Sequence, residues 1–148
     1  MWNPPSEATV AARQEIKAAV YSYCRAMDRI DRELGLTLWA PGAEVDYGPI
    51  FRGSAIDFIE WVCRSHEKTE ARSHQISNVL IDIDVAEGHA TSESYVTAAL
   101  RDDREGTRKD RIIRGRYIDT WVVHDGRWLI KHRRFQHDLT SVLPSLQA

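Results

Sequence analysis

The chain has 148 residues, a formal net charge of −2 at pH 7, 43% hydrophobic residues and 28% charged residues. This length allows one domain to bury a core without disulfides or metal ions. Acidic and basic residues are interspersed, which excludes the basic surface of a nucleic-acid-binding protein. No apolar run reaches the roughly 18 residues of a membrane span. We therefore expect a single domain over residues 1–148, with neither nucleic acid nor membrane as a partner.

The amino-terminal sequence and both cysteines favour a cytoplasmic location. Residues 1–15 lack the charged and then apolar pattern of a secretion signal. Cys24 and Cys63 stand alone in the sequence rather than in a Cys-x-x-Cys pair. We expect two reduced thiols in the core rather than a disulfide.

The first part of the chain has the periodicity of helices. A long helix is predicted over about 7–31, and a shorter second helix around Leu34–Trp39 ends before Pro41. A short strand follows over 44–50, and the Ser54 hydroxyl is expected to cap a third helix. The buried sides of these helices are predicted to contain Ile16, Val20, Tyr23, Met27 and Ile30 in the first helix, and Ile56, Ile59, Trp61 and Val62 in the third.

From Arg72 onward the apolar period changes to two, which is typical of strands. The charged run 101–111 is predicted to be a solvated connection. Helices followed by long antiparallel strands indicate an α+β fold, in which a curved sheet wraps around the N-terminal helices as a cone-shaped barrel with a pocket. The four long strands are predicted over 74–85, 89–100, 112–124 and 127–136, with turns at Gly88 and at Asp125 and Gly126.

Two residues about 45 positions apart can form a proton-transfer pair: Asp28, late in the first helix, and His74, which opens a strand. If the fold brings them together, the carboxylate orients the imidazole and leaves its other ring nitrogen free to move a proton. The residues alone leave a simpler interpretation open, in which Asp28 belongs to a solvated charge run and His74 is a core histidine.

Alternation along the strands predicts which side chains line the pocket. Tyr95 and Thr97 on one strand, with Gly115 and Tyr117 on the next, share the expected inward parity, so Arg114 should point outward. Such a wall suits a compact, largely apolar or aromatic, hydroxylated substrate. The predicted substrate-binding residues are Trp39, Phe51, Trp61, Tyr95, Thr97, Tyr117 and Phe135.

Four stretches carry a family resemblance: AMDRID in the first helix, EVDYGP in the first strand, SHQISNV in the next strand and GRYIDTWVVHDGRWLIKHRR in the last hairpin. With the order of elements, they resemble the SnoaL-like domain of the nuclear transport factor 2-like superfamily over roughly residues 8–137. The resemblance implies a cystatin-like cone-shaped fold. Because this superfamily includes dehydratases, isomerases, cyclases, hydrolases and binding modules, its fold does not fix an activity.

Two enzyme families of this superfamily match the chain in part. Similarity to scytalone dehydratase implies a catalytic pair at Asp28 and His74, with Tyr47 as the tyrosine of the first strand. Similarity to hexachlorocyclohexane dehydrochlorinase implies the same pair with Arg133 on the last strand, although composition alone makes Arg133 part of a solvated basic edge. The dehydratase's second catalytic histidine falls near Ala99 of this chain, and the dehydrochlorinase's helix lysine falls at Tyr23, so neither specific activity transfers.

We therefore expect a lyase in which His74, oriented by Asp28, abstracts a proton. Tyr47, with Tyr23 or Arg133, would stabilise the developing charge. Dehydration is the first expectation, and a retro-aldol-type cleavage uses the same base. The alternatives are a ketosteroid-isomerase-like isomerase or cyclase, and a non-catalytic module that binds a small ligand.

The sequence contains no zinc or phosphate motif, so no metal and no cofactor are expected. His66 and Glu67 begin a His-Glu-x-x-His pattern, but Glu70 stands where its second histidine should be. One apolar face of the sheet requires a cover, which predicts a homo-oligomer, either a dimer or a trimer. This face is predicted to contain Trp121, Val123, Trp128 and Ile130.

Overall fold

The computed structural model describes residues 4–103 and 106–145. The predicted domain ends at residues 1 and 148, and residues 104 and 105 of the predicted connection, lie outside these ranges. None of the helices within them is both long and apolar enough to cross a lipid bilayer. The described elements are α1 (Glu7–Arg29), α2 (Arg32–Leu36), β1 (Trp39–Asp46), β2 (Arg52–Ser54), α3 (Ala55–His66), β3 (Ala71–Asp84), β4 (His89–Asp102), β5 (Lys109–His124) and β6 (Arg127–Pro144).

The six strands form one sheet in the order β2-β1-β6-β5-β4-β3. Neighbouring strands are antiparallel except for β1 and β6, which run parallel. The predicted α+β fold, with a curved and mostly antiparallel sheet around N-terminal helices, is confirmed. Because β2 and β3 are free edges, the sheet stays unclosed rather than forming a complete barrel.

Helix α1 packs its apolar stripe into the core, and its last turn lies beside His74 of strand β3. Ile30 adopts a left-handed backbone with φ of 54°, and its N–H points back to the Met27 carbonyl, which ends the helix after Arg29. Asp28 therefore lies in the last turn of α1. The buried stripe contains Ile16, Val20, Tyr23 and Met27, as predicted.

Trp39 begins strand β1, so its predicted place in the second helix is wrong. Helix α2 ends at Leu36, and Thr37 closes it through contacts with Glu33 and Leu34. The Ile130 N–H then donates to the Leu38 carbonyl at 3.0 Å, and Trp39 pairs with Ile130. Pairing with β6 outweighs the local helical pattern, as tertiary contacts commonly do.

Helix α3 begins where the sequence predicts but buries a different face. The Ser54 hydroxyl accepts a hydrogen bond from the Asp57 N–H at 3.1 Å and so caps the helix. Ile56 is 65% exposed and Trp61 is 37% exposed, so their predicted burial is wrong. The helical period instead gives a buried stripe of Ala55, Phe58, Ile59, Val62, Cys63 and His66.

The apolar face of the β5–β6 hairpin is covered by the chain's own core. Trp121 and Ile130 are fully buried and Trp128 is 6% exposed, all three within the cluster that includes α1 and α3. The Trp128 N–H donates to the Glu15 carboxylate of α1 at 2.9 Å. Val123 alone of the four predicted residues is exposed. The expectation of a homo-oligomer therefore loses this basis, because the face is buried within one chain.

Both ends of the charged run 101–111 belong to strands, so their prediction as a solvated connection is wrong. Strand β4 continues to Asp102, which is only 2% exposed, and β5 begins at Lys109. Arg101 lies opposite Asp110 in the antiparallel ladder and donates to its carboxylate at 2.7 and 2.9 Å. Complementary charges across the two strands allow the ladder to extend into this run.

Candidate active site

A cavity of about 860 Å³ lies between the concave face of the sheet and helices α1 and α3. Its size is typical of a site for a small organic molecule. One part of its wall is aromatic and another is polar. The polar residues in the wall include Tyr23, Tyr47, His66, His74, Asp102, Arg111 and Tyr117, and the large apolar residues include Phe58, Trp61 and Phe135.

Asp28 and His74 are in direct contact. The Asp28 carboxylate accepts hydrogen bonds from the His74 ring Nδ1 at 2.7 Å and from the His74 backbone N–H at 2.9 Å. The His74 side chain is 7% exposed and lines the cavity, whereas Asp28 lies behind it and is 28% exposed. An ionised carboxylate only accepts, so Nδ1 carries the proton and Nε2 has the free lone pair.

Arg72 joins the three segments that converge at this pair, and the sequence reasoning missed it. Its Nε donates to the Asp28 carbonyl at 3.0 Å. Its Nη1 donates to the His66 carbonyl at 3.2 Å and to the Thr69 hydroxyl at 2.9 Å. Arg72 thus connects the end of α1, the end of α3 and the start of β3. The signal for it was its position two residues before His74, on the same strand face.

Three tyrosines form the polar end of the aromatic wall. The hydroxyls of Tyr23 and Tyr47 are 3.3 Å apart, and the Tyr23 ring packs edge-on against Tyr117 at 5.6 Å. Burial raises the pKa of Tyr23 and of Tyr117 well above the usual value for a phenol. Burial also raises the pKa of Tyr47, and the nearby Arg133 charge partly offsets that increase. All three phenols are therefore protonated near neutral pH and can donate hydrogen bonds.

Arg133 is fully buried, so its assignment to a solvated basic edge is wrong. Its Nε and Nη2 donate to the two carboxylate oxygens of Asp119 at 2.8 Å each, and both side chains are 0% exposed. The guanidinium lies 4.0 Å from the Tyr117 ring and 4.3 Å from the Tyr23 ring. Arg133 therefore stands behind the tyrosines rather than in the cavity wall, where its neighbour Arg134 is found. Asp119 lies directly opposite Arg133 in the ladder, which explains the pairing.

The inward parity predicted for β4 is wrong by one residue. Tyr95 pairs with Arg116 and Thr97 with Arg114, on the outer face of the sheet. Tyr95 is 39% exposed, and Val96 lines the cavity instead. A shift of one residue moves every side chain of a strand to the other face. The parity of β5 was predicted correctly, because Gly115 and Tyr117 face inward.

Of the six predicted substrate-binding aromatics, three line the cavity and three do not, including the outward-facing Tyr95. Trp39 is buried behind the wall, 6.2 Å from the Tyr23 ring. Phe51 packs 5.4 Å from the Trp61 ring and supports the wall from outside. The pairing of β1 with β6 turns Trp39 into the core. The predicted helix gave no indication of this pairing. The residues that reach the cavity are Trp61, Tyr117 and Phe135.

His66 is a cavity residue that the sequence reasoning read only as part of an incomplete zinc motif. It is the last residue of α3, is 6% exposed and lines the cavity. Its Nδ1 is 3.3 Å from the Met27 carbonyl, and its ring centroid is 5.4 Å from that of His74. Burial lowers the pKa of His66 to about 4. Its place in the buried stripe with Val62 and Cys63 was the signal for an inward direction.

Neither metal-binding nor thiol chemistry is supported by the arrangement of side chains. Within residues 4–103 and 106–145, no three histidine, cysteine, aspartate or glutamate side chains converge as metal ligands. Cys24 and Cys63 are buried free thiols. Burial raises the pKa of Cys24 to about 12, so this thiol is a poor nucleophile at neutral pH.

Comparisons with known proteins agree with the fold. The SnoaL-like domain family matches residues 8–134. None of the curated proteins matches the sequence significantly. A provisionally assigned scytalone dehydratase from Novosphingobium aromaticivorans has 29% identity and a TM-score of 0.81, over 91% of this chain and 89% of its own. A type 2 hexachlorocyclohexane dehydrochlorinase has 14% identity and a TM-score of 0.82, over 94% of this chain and 93% of its own.

A third solved structure bears on the fold alone. A Nostoc punctiforme protein of unknown function has a cystatin-like fold and 19% identity, with a TM-score of 0.70 over 88% of this chain and 93% of its own. These likenesses confirm the predicted cystatin-like architecture.

Proposed function

Since the chain belongs to the SnoaL-like domain family, we propose that it is a cofactor-independent lyase for a small, largely apolar or aromatic, hydroxylated substrate. The observation that carries this proposal is the 2.7 Å contact between Asp28 and the ring of His74, at the wall of an 860 Å³ cavity. Two structurally similar proteins are described as a dehydratase and a dehydrochlorinase, and both names denote eliminations.

His74 acts as the general base in this proposal. Its Nε2 takes a proton from carbon, the electrons of the broken C–H bond form a double bond, and the neighbouring C–O bond breaks. The Asp28 carboxylate, bonded to Nδ1, stabilises the imidazolium and holds the ring in place. The departing oxygen is protonated as the imidazolium returns its proton, so the substrate loses water overall. Such acid–base assistance typically contributes about 10²–10⁴ in rate.

Tyr47 and Tyr23 stabilise the charge that develops on the leaving oxygen. Their hydroxyls are 3.3 Å apart and both line the cavity. Because burial raises their pKa values, they act as hydrogen-bond donors and not as bases. Arg133 lies behind the rings and assists this donation. Its positive charge favours negative charge on the phenol oxygens, which makes the hydroxyls stronger hydrogen-bond donors.

The rest of the cavity wall favours an aromatic or apolar substrate. Tyr47 stacks on Phe58 with ring centroids 4.4 Å apart and on Phe135 at 5.3 Å. Trp61 continues this surface, 6.0 Å from Phe58. A flat substrate could pack on these rings while its hydroxyl groups face the histidines and tyrosines.

The test is a mass-resolved screen of hydroxylated aromatic compounds with wild type, His74→Ala and the control His89→Ala. His89 is exposed on β4 and outside the cavity. We expect wild type and His89→Ala to produce a compound lighter by one water, and His74→Ala to remain folded but inactive. Two fragments would indicate a retro-aldol-type cleavage by the same base. Full activity of folded His74→Ala would refute the role of His74.

The alternatives differ in what they require of the site. A ketosteroid-isomerase-like isomerase or a cyclase would leave the substrate mass unchanged, so the same screen separates it from a lyase. A non-catalytic module has no need of an imidazole oriented by a carboxylate. The contact between Asp28 and His74 therefore favours an enzyme over a binding module.

A further inference from the structure

A second histidine faces the same cavity as the proposed base. His66 reaches it from the last turn of α3, whereas His74 reaches it from β3. Their ring centroids are 5.4 Å apart and their planes are tilted by 42°. Both imidazoles can therefore contact one small bound molecule at the same time.

The hydrogen bonds of the two rings fix which nitrogen each presents to the cavity. The Met27 carbonyl, 3.3 Å from His66 Nδ1, can only accept a hydrogen bond, so that nitrogen carries the proton. Asp28 fixes the same tautomer in His74. Each ring therefore retains a lone pair on Nε2. Two acceptors cannot bond to each other, so each requires a donor from a bound molecule or from solvent.

The surroundings of His66 keep it neutral. The charged and titratable groups that influence it are His74 and Arg72 on β3 and Asp28 on α1. Burial is the largest influence, and it lowers the pKa of His66 to about 4. At neutral pH His66 is therefore neutral and accepts a hydrogen bond at Nε2.

We infer that His66 binds a hydroxyl on the carbon from which His74 removes a proton, while a second hydroxyl leaves from the next carbon, so that the substrate class is a vicinal diol on saturated carbons. The departing hydroxyl needs a hydrogen-bond donor, which Tyr23 and Tyr47 supply, whereas Nε2 of His66 can only accept. The hydroxyl at His66 is therefore a second one, on the carbon that loses its proton to His74. This inference deepens the proposed function and rests on it for the role of His74, but it makes a separate prediction about binding.

Two substitutions separate the binding role of His66 from a structural one. In His66→Asn, the side-chain amide retains a donor near the Met27 carbonyl but has no atom at the position of Nε2. In His66→Gln, the longer side chain can place a carbonyl oxygen near that position. The probes are a naphthalene diol with adjacent hydroxyls, which binds without being dehydrated, and its monomethyl ether, with affinities measured by calorimetry in the full chain.

Wild type should bind the diol about tenfold more tightly than the ether, the usual effect of one hydrogen bond in a buried site. His66→Asn should lose this preference while keeping its affinity for the ether, and His66→Gln should retain part of it. No binding of the diol by wild type, or an unchanged preference in His66→Asn, would overturn the inference. If wild type shows turnover and His74→Ala does not, while His66→Asn keeps the preference, this inference fails and the proposed function stands. If His66→Asn loses the preference and neither wild type nor any variant shows turnover, the result supports this binding site and refutes the lyase.

Discussion

Asp119 and Arg133 form a fully buried ion pair in which two guanidinium nitrogens each lie 2.8 Å from a carboxylate oxygen. The pair joins β5 to β6 at directly opposite positions in the ladder. The Arg133 guanidinium also supports the faces of Tyr23 and Tyr117. The tyrosines at this end of the cavity therefore pack against an ion pair that is shielded from solvent.

Breaking this pair from one side should destabilise the protein strongly. Asp119→Ala leaves the Arg133 charge buried and unpaired, which typically costs about 3–5 kcal/mol. Urea unfolding followed by circular dichroism measures the loss. The control Asp138→Ala removes a partner of Arg116 on the surface, where an ion pair contributes little. Equal losses for the two variants would show that the buried pair has no special role.

Asp28→Asn should retain the fold but lower turnover. The amide cannot stabilise an imidazolium at His74 as a carboxylate does, so we expect kcat to fall by about 10²–10⁴. The double variant Asp28→Asn/His74→Ala should be no slower than His74→Ala alone, since the two residues act as a unit. Asp31→Asn is the control, because Asp31 caps α2 by accepting from the Leu34 N–H. A kcat loss of equal size in that control would assign the effect to helix packing.

The sequence predicted the order of elements well because periodicity and turn chemistry are local properties. The helical stripe of α1, the Ser54 cap and the turn at Asp125 and Gly126 all depend on neighbouring residues. The contact between Asp28 and His74 joins distant segments, and family resemblance suggested it where spacing alone could not.

Register and burial could not be predicted in the same way. A bulge between Ile76 and Val79 changes which side chains of β3 face inward, and no residue pattern marked it. Tyr95 was assigned to the cavity by its expected parity on the strand, but the ladder turns it outward beside Arg116. The burial of Arg133 depends on Asp119 lying opposite, which is a property of strand pairing.

Tyr47→Phe should lower kcat with little effect on KM. The substitution keeps the stacking on Phe58 and Phe135 but removes a hydroxyl proposed to act mainly in the transition state. We expect a loss of about 10²-fold in kcat, similar to the loss of one donor from an oxyanion site. Tyr21→Phe is the matched control, because Tyr21 is 51% exposed on α1. An increase in KM at constant kcat would assign Tyr47 to ground-state binding only.

The stability of the protein should fall as the pH is lowered below about 6.5, and His66 should cause part of this fall. Burial lowers the pKa of His66 from 6.5 to about 4, so between these values the unfolded chain binds a proton that the folded protein excludes. Stability from His66 is therefore complete above pH 6.5, declines towards pH 4 and changes no further below it. The full effect is about 3 kcal/mol.

Urea unfolding of wild type and His66→Asn between pH 7 and pH 4 measures this contribution, because the variant lacks the titrating group. The free energy of unfolding should decrease more steeply with falling pH in wild type than in His66→Asn. His89→Asn, which changes an exposed histidine, should follow wild type. Parallel curves for wild type and His66→Asn would show that His66 does not titrate differently in the folded and unfolded chains, and that its imidazole is not held neutral by burial.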